Sequence, residues 1–69
     1  MRPVLTHPLS DREREVLRLL ASGLAGPEIA DVLVVGYSTV KSHLKHIYSK
    51  LDVHTRREAL ARAKELQLL

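Results

Sequence analysis

The sequence predicts an all-α domain of four helices. Serine or threonine followed three positions later by glutamate occurs twice, at Ser10/Glu13 and Thr55/Glu58, the spacing of a capping box in which each side chain serves the other residue's backbone N–H. Apolar residues recur at helical spacing along the chain, and no stretch alternates apolar with polar residues long enough to make a strand. The chain has 69 residues and no cysteine, so neither a disulfide framework nor a thiolate metal cluster supports it. Ordering it costs about 1.5 kcal/mol per residue. Close helix packing, helped by dimerisation, must offset that, with little room left for an elaborate active site.

Pro3 and Pro8 bracket a segment without helical period, read as a linker or lead-in over residues 1–8, with the domain occupying 9–69. Ser10 caps a first helix that begins near Asp11 and carries Val16, Leu17 and Leu20 on its apolar face. Leu9 and Leu24 lie just outside it, Arg12, Arg14 and Arg18 look outward, and Gly23 offers the left-handed residue that ends it. Gly26-Pro27 supplies a cap and a first-turn proline, so the second helix starts at Pro27 or Glu28 and follows the stripe Ile29, Ala30 and Leu33 until Gly36, where the chain must turn.

A third helix is expected from about Ser38 to Leu51. At about 100° per residue, Val40, Leu44, Ile47 and Leu51 share a narrow arc with Tyr48 beside it. Ser38, Lys41, Ser42, Lys45 and Ser49 collect opposite, so one face is core and the other is all donors. Thr55 opens a fourth helix through about Leu66, with Ala59, Ala63 and Leu66 on one stripe and Leu60 and Leu68 off it.

Residues 1–34 carry a net charge of −1 and residues 35–69 a net charge of +4. A basic half beside a near-neutral half gives one electropositive face and points to a polyanionic partner. The short second helix, a tight turn at Gly36-Tyr37 and a longer helix with a basic outer face have the proportions of a helix-turn-helix. Ala30 is the small residue where the two axes approach, and Val35 and Val40 close the corner, so that the third helix stands proud enough to enter a major groove about 12 Å wide. Thr39, beside the exposed N–H groups at the start of that helix, is a phosphate candidate, as are Lys50, Arg56 and Arg57 near the joint of helices three and four.

On these residues the chain resembles the LuxR-type (GerE-like) helix-turn-helix DNA-binding domain of bacterial transcription regulators. LSDREREVLRLLASGL (9–24), EIADVL (28–33), STVKSHLKHIYSKL (38–51) and the pattern Val53, Arg56, Ala59 follow the family's order without gaps. The final stretch looks most like members in which this domain ends a much larger protein, so a C-terminal part of a larger regulator is expected, with the sensing part elsewhere. The resemblance implies a four-helix LuxR-type helix-turn-helix domain with double-stranded DNA as its partner. Its third helix, over about 38–51, reads the major groove, and its fourth supports dimerisation.

The resemblance also implies contacts to base edges or nearby phosphates at Lys41, Ser42 and Lys45; the helical period places these outward, and a lysine can donate to guanine O6 and N7. Phosphate contacts are expected at Ser38, Thr39, His46, Lys50, Arg56 and Arg57. Arg56 has a rival role in the family, tying the fourth helix to the rest of the domain through carbonyls or a carboxylate such as Glu13. Leu60, Lys64 and Leu68 form the expected edge of a weak homodimer through helix four. RNA polymerase is an expected partner of the full-length regulator, and the cytoplasm, at the bacterial nucleoid, the expected location.

Two departures from the family stand out. Gly36 replaces a common serine, so the cap of helix three is expected to pass to Ser38, and Ala25-Gly26-Pro27 replaces a donor-bearing entry to helix two. Both weaken the backbone clamp rather than the fold, and modest affinity is expected.

His43 and His46, spaced i, i+3, with His54 nearby, raise a metal site, but no cysteine and no well-placed carboxylate completes a tetrahedral shell. Ser10, Ser38 and the histidines make no nucleophile–base–acid arrangement and no phosphate-binding loop is present, so neither an enzyme nor a cofactor is expected. The longest apolar run, Val32 to Val35, is far too short to span a membrane, and MRPVLTHPL lacks the apolar core and cleavage site of a secretory signal. Two rivals remain. The fourth region of a sigma factor shares the REREVL-like first helix, but EIADVL with STVKSHLKHIYSKL favours the regulator family. A helical protein-interaction module would present Leu60 and Leu68.

Overall fold

The computed structural model describes residues 8–69, so the lead-in segment up to His7 falls outside the described residues. The described residues fold into four helices, α1 (Asp11–Ala21), α2 (Gly26–Leu33), α3 (Tyr37–Leu51) and α4 (Arg56–Glu65), with no strand among them. Helix α3 is the hub and packs on each of the other three. Val16, Leu17 and Leu20 of α1, Ile29 and Ala30 of α2, Val40, Ile47 and Leu51 of α3, and Ala59 and Ala63 of α4 form one buried cluster. Each fully buried Leu, Ile or Val side chain among them contributes about 1.5–3 kcal/mol relative to an exposed one. Leu44, expected in the core arc, is only half-buried at its rim.

The predicted capping box opens α1. Ser10 Oγ accepts from the Glu13 N–H at 3.2 Å, and Glu13 Oε1 accepts from the Ser10 N–H at 2.9 Å. At α4 only half of the expected box forms: Thr55 Oγ1 accepts from the Glu58 N–H at 3.1 Å, while Glu58 reaches one residue further back, to the His54 N–H at 3.2 Å. Helix α2 starts a residue earlier than expected, with Ala25 as its cap; alanine has no oxygen to offer, and Glu28 accepts from the Ala25 N–H at 2.8 Å. Helix α3 also starts early, at Tyr37, with Gly36 as its cap and no side-chain cap bond. Ser38 therefore lies within the first turn instead of capping it, as the sequence reading had it.

All four helices end alike. A residue in the left-handed region follows each, namely Gly23, Val34, Asp52 and Gln67. The next N–H then bonds the carbonyl five residues back, in Leu24 to Leu19, Val35 to Ala30, Val53 to Tyr48 and Leu68 to Ala63. Leu24, Val35, Val53 and Leu68 each pack their side chains on the core, the apolar contact that accompanies this ending. The sequence showed only the first, because only there does a glycine mark the spot. The turn expected at Gly36 is made two residues earlier, where Val34 sits at φ 56°, ψ 50°. Gly36 itself is extended, at φ −71°, ψ 151°.

Candidate nucleic-acid interface

The buried stripe of α3 fixes which of its residues face outward. With Val40, Ile47 and Leu51 against α1, α2 and α4, the side chains of Ser38, Thr39, Lys41, Ser42, Lys45, His46 and Ser49 are exposed. Lys41 and Lys45 have no carboxylate within ion-pair distance among the described residues. The Lys41 ammonium instead lies 5.5 Å from the centroid of the Tyr37 ring, one turn earlier on α3. Because Gly36 offers no side-chain oxygen, the first N–H groups of α3 have no cap and the positive end of its dipole faces outward. This end of the helix is suited to a phosphate.

Other cations of the basic half are held internally. Lys50 Nζ lies 2.7 Å from Glu13 Oε1 and 3.3 Å from the Pro8 carbonyl oxygen. Glu13 is 4% exposed. Burial pushes its carboxyl up, but the Lys50 ammonium and the Ser10 N–H and hydroxyl together outweigh that and hold it below its ordinary value of 4.5. Arg56 Nη2 donates to the Leu20 carbonyl at 2.7 Å, which also accepts from the Gly23 N–H at 3.1 Å at the end of α1, so the carbonyl role is the one the structure shows for it. The carboxylate the sequence offered to Arg56 belongs to Lys50. Half-buried Tyr48 has its phenol pushed up by burial, against the lowering effect of Arg56.

Arg57 is exposed and free of any carboxylate among the described residues, as is Lys64. Leu60 and Leu68 are half-buried and pack on the core, so the spare apolar edge expected on α4 is smaller than its sequence implies. The exposed large apolar residues among the described ones are Val32, Val34, Tyr37 and Leu69, and three of these flank the α2–α3 turn. Among the described residues no three of His, Cys, Asp or Glu gather as metal ligands, and no helix is long and apolar enough to cross a membrane. Sequence reasoning missed Glu13 as the partner of Lys50 and Tyr37 as the partner of Lys41. The second pair had a signal, since residues i and i+4 are neighbours on a helix.

Residues 7–63 match the family of bacterial regulatory proteins described as the luxR family. The chain belongs to the luxR family. Among its relatives are transcriptional regulators of the helix-turn-helix type named MalT from Vibrio campbellii and Serratia proteamaculans, each 41% identical over 63 residues that make up 91% of this chain and 7% of the regulator. A crystal structure of ChrA, described as the response regulator of a heme-sensing two-component system, superposes with a TM-score of 0.88 at 43% identity, over 91% of this chain and 31% of that one. The luxR-family domain thus spans a small part of each longer relative. It is an all-α helix-turn-helix domain of a family of transcriptional regulators, and α2 and α3 are its helix-turn-helix.

Proposed function

We propose that this luxR-family domain binds double-stranded DNA sequence-specifically as the output part of a bacterial transcription regulator, with α3 docked in the major groove. The observation that carries the reading is the outer face of α3, where exposed Lys41, Ser42 and Lys45 lie without carboxylate partners among the described residues, opposite a fully buried apolar stripe. In this reading those three face base edges or adjacent phosphates. Ser38, Thr39, His46 and Arg57 meet phosphates around them, with the uncapped end of α3 supplying N–H groups. Lys50 and Arg56 serve DNA indirectly, by fixing α3 against α1 and α4 against α1. The reaction is docking, and it needs no cofactor.

Residues 9–69 act as one unit of a longer regulator, as the short share of each relative supports. A weak homodimer through α4, using Lys64 and the exposed parts of Leu60 and Leu68, would place two half-sites about 10 bp apart. RNA polymerase is the partner of the whole regulator, acting at the nucleoid in the cytoplasm.

A salt-dependent fluorescence anisotropy titration tests the reading, comparing a duplex from random-site selection with its scrambled counterpart. The selected duplex binds more tightly, and log K falls against log salt with a slope of about −0.9 per phosphate neutralised. Failure to bind either duplex at low salt overturns DNA binding and favours a protein partner at α4.

A further inference from the structure

We infer that Tyr37 is a positioning residue for sequence reading, a strut between α2 and α3 that aims the Lys41 ammonium. The inference rests on the proposal that Lys41 faces base edges. Two independent observations place the ring. A Cβ built on Gly26 would meet Tyr37 Cε1 at 2.6 Å, closer than real side chains come, so the ring edge lies directly on the first residue of α2. Its face lies under Lys41, with the ammonium 5.5 Å from the centroid, within the range in which a cation is attracted to an aromatic face.

Tyr37 remains 48% exposed and lies outside the buried core, so the core does not call for an aromatic residue here. A lysine on an open helix face samples many rotamers of its four-carbon stem. For Lys41 no carboxylate among the described residues narrows that choice, and the ring is what does. Side chains on a helix lean toward its N-terminus, so the residue at i+4 covers the one at i. Lys41 is thereby drawn toward the first turn of α3, the part of a recognition helix that meets base edges. The ring is rigid, with two side-chain torsions, and Gly26 leaves it the space to lie there. In this arrangement Gly26, which the sequence offered as a helix cap, is the clearance for the strut.

The test has one arm without DNA and one with it. In the free 69-residue chain, NMR reads the ring-current shift of the Lys41 ε-methylene protons. That shift is present in the parent and in Tyr37→Phe, and lost in Tyr37→Ala and in Gly26→Ala, where the added methyl evicts the ring. Its absence in the parent overturns the strut. In the second arm, binding is compared between the selected duplex and duplexes changed at single base pairs. Lys41→Ala lowers discrimination at the base pair it reads by about tenfold. Tyr37→Ala lowers it at the same base pair by about threefold, Tyr37→Phe leaves it intact, and the double variant is no worse than Lys41→Ala.

A fold defect would weaken every duplex alike, and that result for Tyr37→Ala overturns the positioning role. So does unchanged discrimination in Tyr37→Ala beside a loss in Lys41→Ala, which leaves DNA reading by Lys41 standing. If the parent shows the NMR shift but selects no sequence, the reading of α3 fails and the role in specificity falls with it.

Discussion

The outer face of α3 and its last turn use lysine for opposite purposes. Lys41 and Lys45, in its second and third turns, stand exposed with no carboxylate among the described residues within ion-pair distance, whereas Lys50 in its last turn lies 2.7 Å from the buried carboxylate of Glu13. A charge count treats the three alike. What separates them is the neighbouring surface: Lys41 and Lys45 are exposed, while the last turn lies beside the start of α1. Exposed charges are soft and screened and lend themselves to an external anion. A cation facing a buried carboxylate is structural, because removing either partner leaves the other without its compensation. The +4 of residues 35–69 therefore overstates what is offered to a ligand.

The contrast breaks most severely at Glu13. Glu13→Ala removes the reciprocal half of the α1 cap and strands Lys50, and should cost about 3 kcal/mol of stability, read by denaturant melting. Protonation probes the same pair more gently. The folded-state carboxyl ionises below its ordinary 4.5, so its stabilisation is complete above that pH and is lost as the pH falls through the folded value. The stability gap between the parent and Glu13→Gln should be widest near neutrality and close below pH 4.5; a gap that stays constant with pH would show that Glu13 acts only as a neutral acceptor.

The next pair of variants sharpens the comparison within α3 itself. Lys50→Met should lower stability by about 2 kcal/mol, reduced from the fully buried case because the lysine is partly exposed. It should leave the slope of DNA affinity against salt unchanged. Lys45→Met should do the reverse, leaving the melt alone and reducing the slope by about 0.9 if it neutralises one phosphate. At the joint with α4 the same division separates neighbours. Arg56→Ala loses a charge-assisted bond to the Leu20 carbonyl, at about 1–2 kcal/mol, and exposed Arg57→Ala weakens DNA binding without moving the melt.

The parts of this that were legible in the sequence are the local ones. The Ser10/Glu13 box, the four apolar stripes and the outward direction of Lys41, Ser42 and Lys45 depend on spacings of three or four residues, and helical period alone sets them. The partner of Lys50 is 37 positions away, so its role depends on how α1 and α3 cross. Arg56 and Leu20 are 36 positions apart, and there a resemblance to known domains supplied the carbonyl alternative that periodicity did not. The partial burial of Leu68 was hidden for a different reason. This leucine lies off the α4 stripe because it follows the helix, and the left-handed Gln67 turns it back onto the core. That ending is invisible without a glycine to flag it.

The smallest expected effect concerns that same ending and leaves both lysine environments untouched. Val34 holds the left-handed position after α2 with a β-branched side chain that is 88% exposed, so it accepts the strain of φ 56° with little packing in return. That conformation costs an L-residue about 1–2 kcal/mol, and a glycine relieves it while adding about 0.5–1 kcal/mol of chain entropy to be lost on folding. Val34→Gly should therefore raise stability by about 0.5 kcal/mol, measured as a shift of the denaturant midpoint with unchanged slope. Asp52→Gly, at φ 57° after α3, should gain less, since aspartate tolerates this region better than valine. With the turn relaxed but its hydrogen bonds kept, α3 holds its angle and DNA affinity should stay within twofold of the parent, about 0.4 kcal/mol. A larger loss would mean that the exposed valine side chain itself touches the DNA backbone, extending the interface from the face of α3 onto the turn before it.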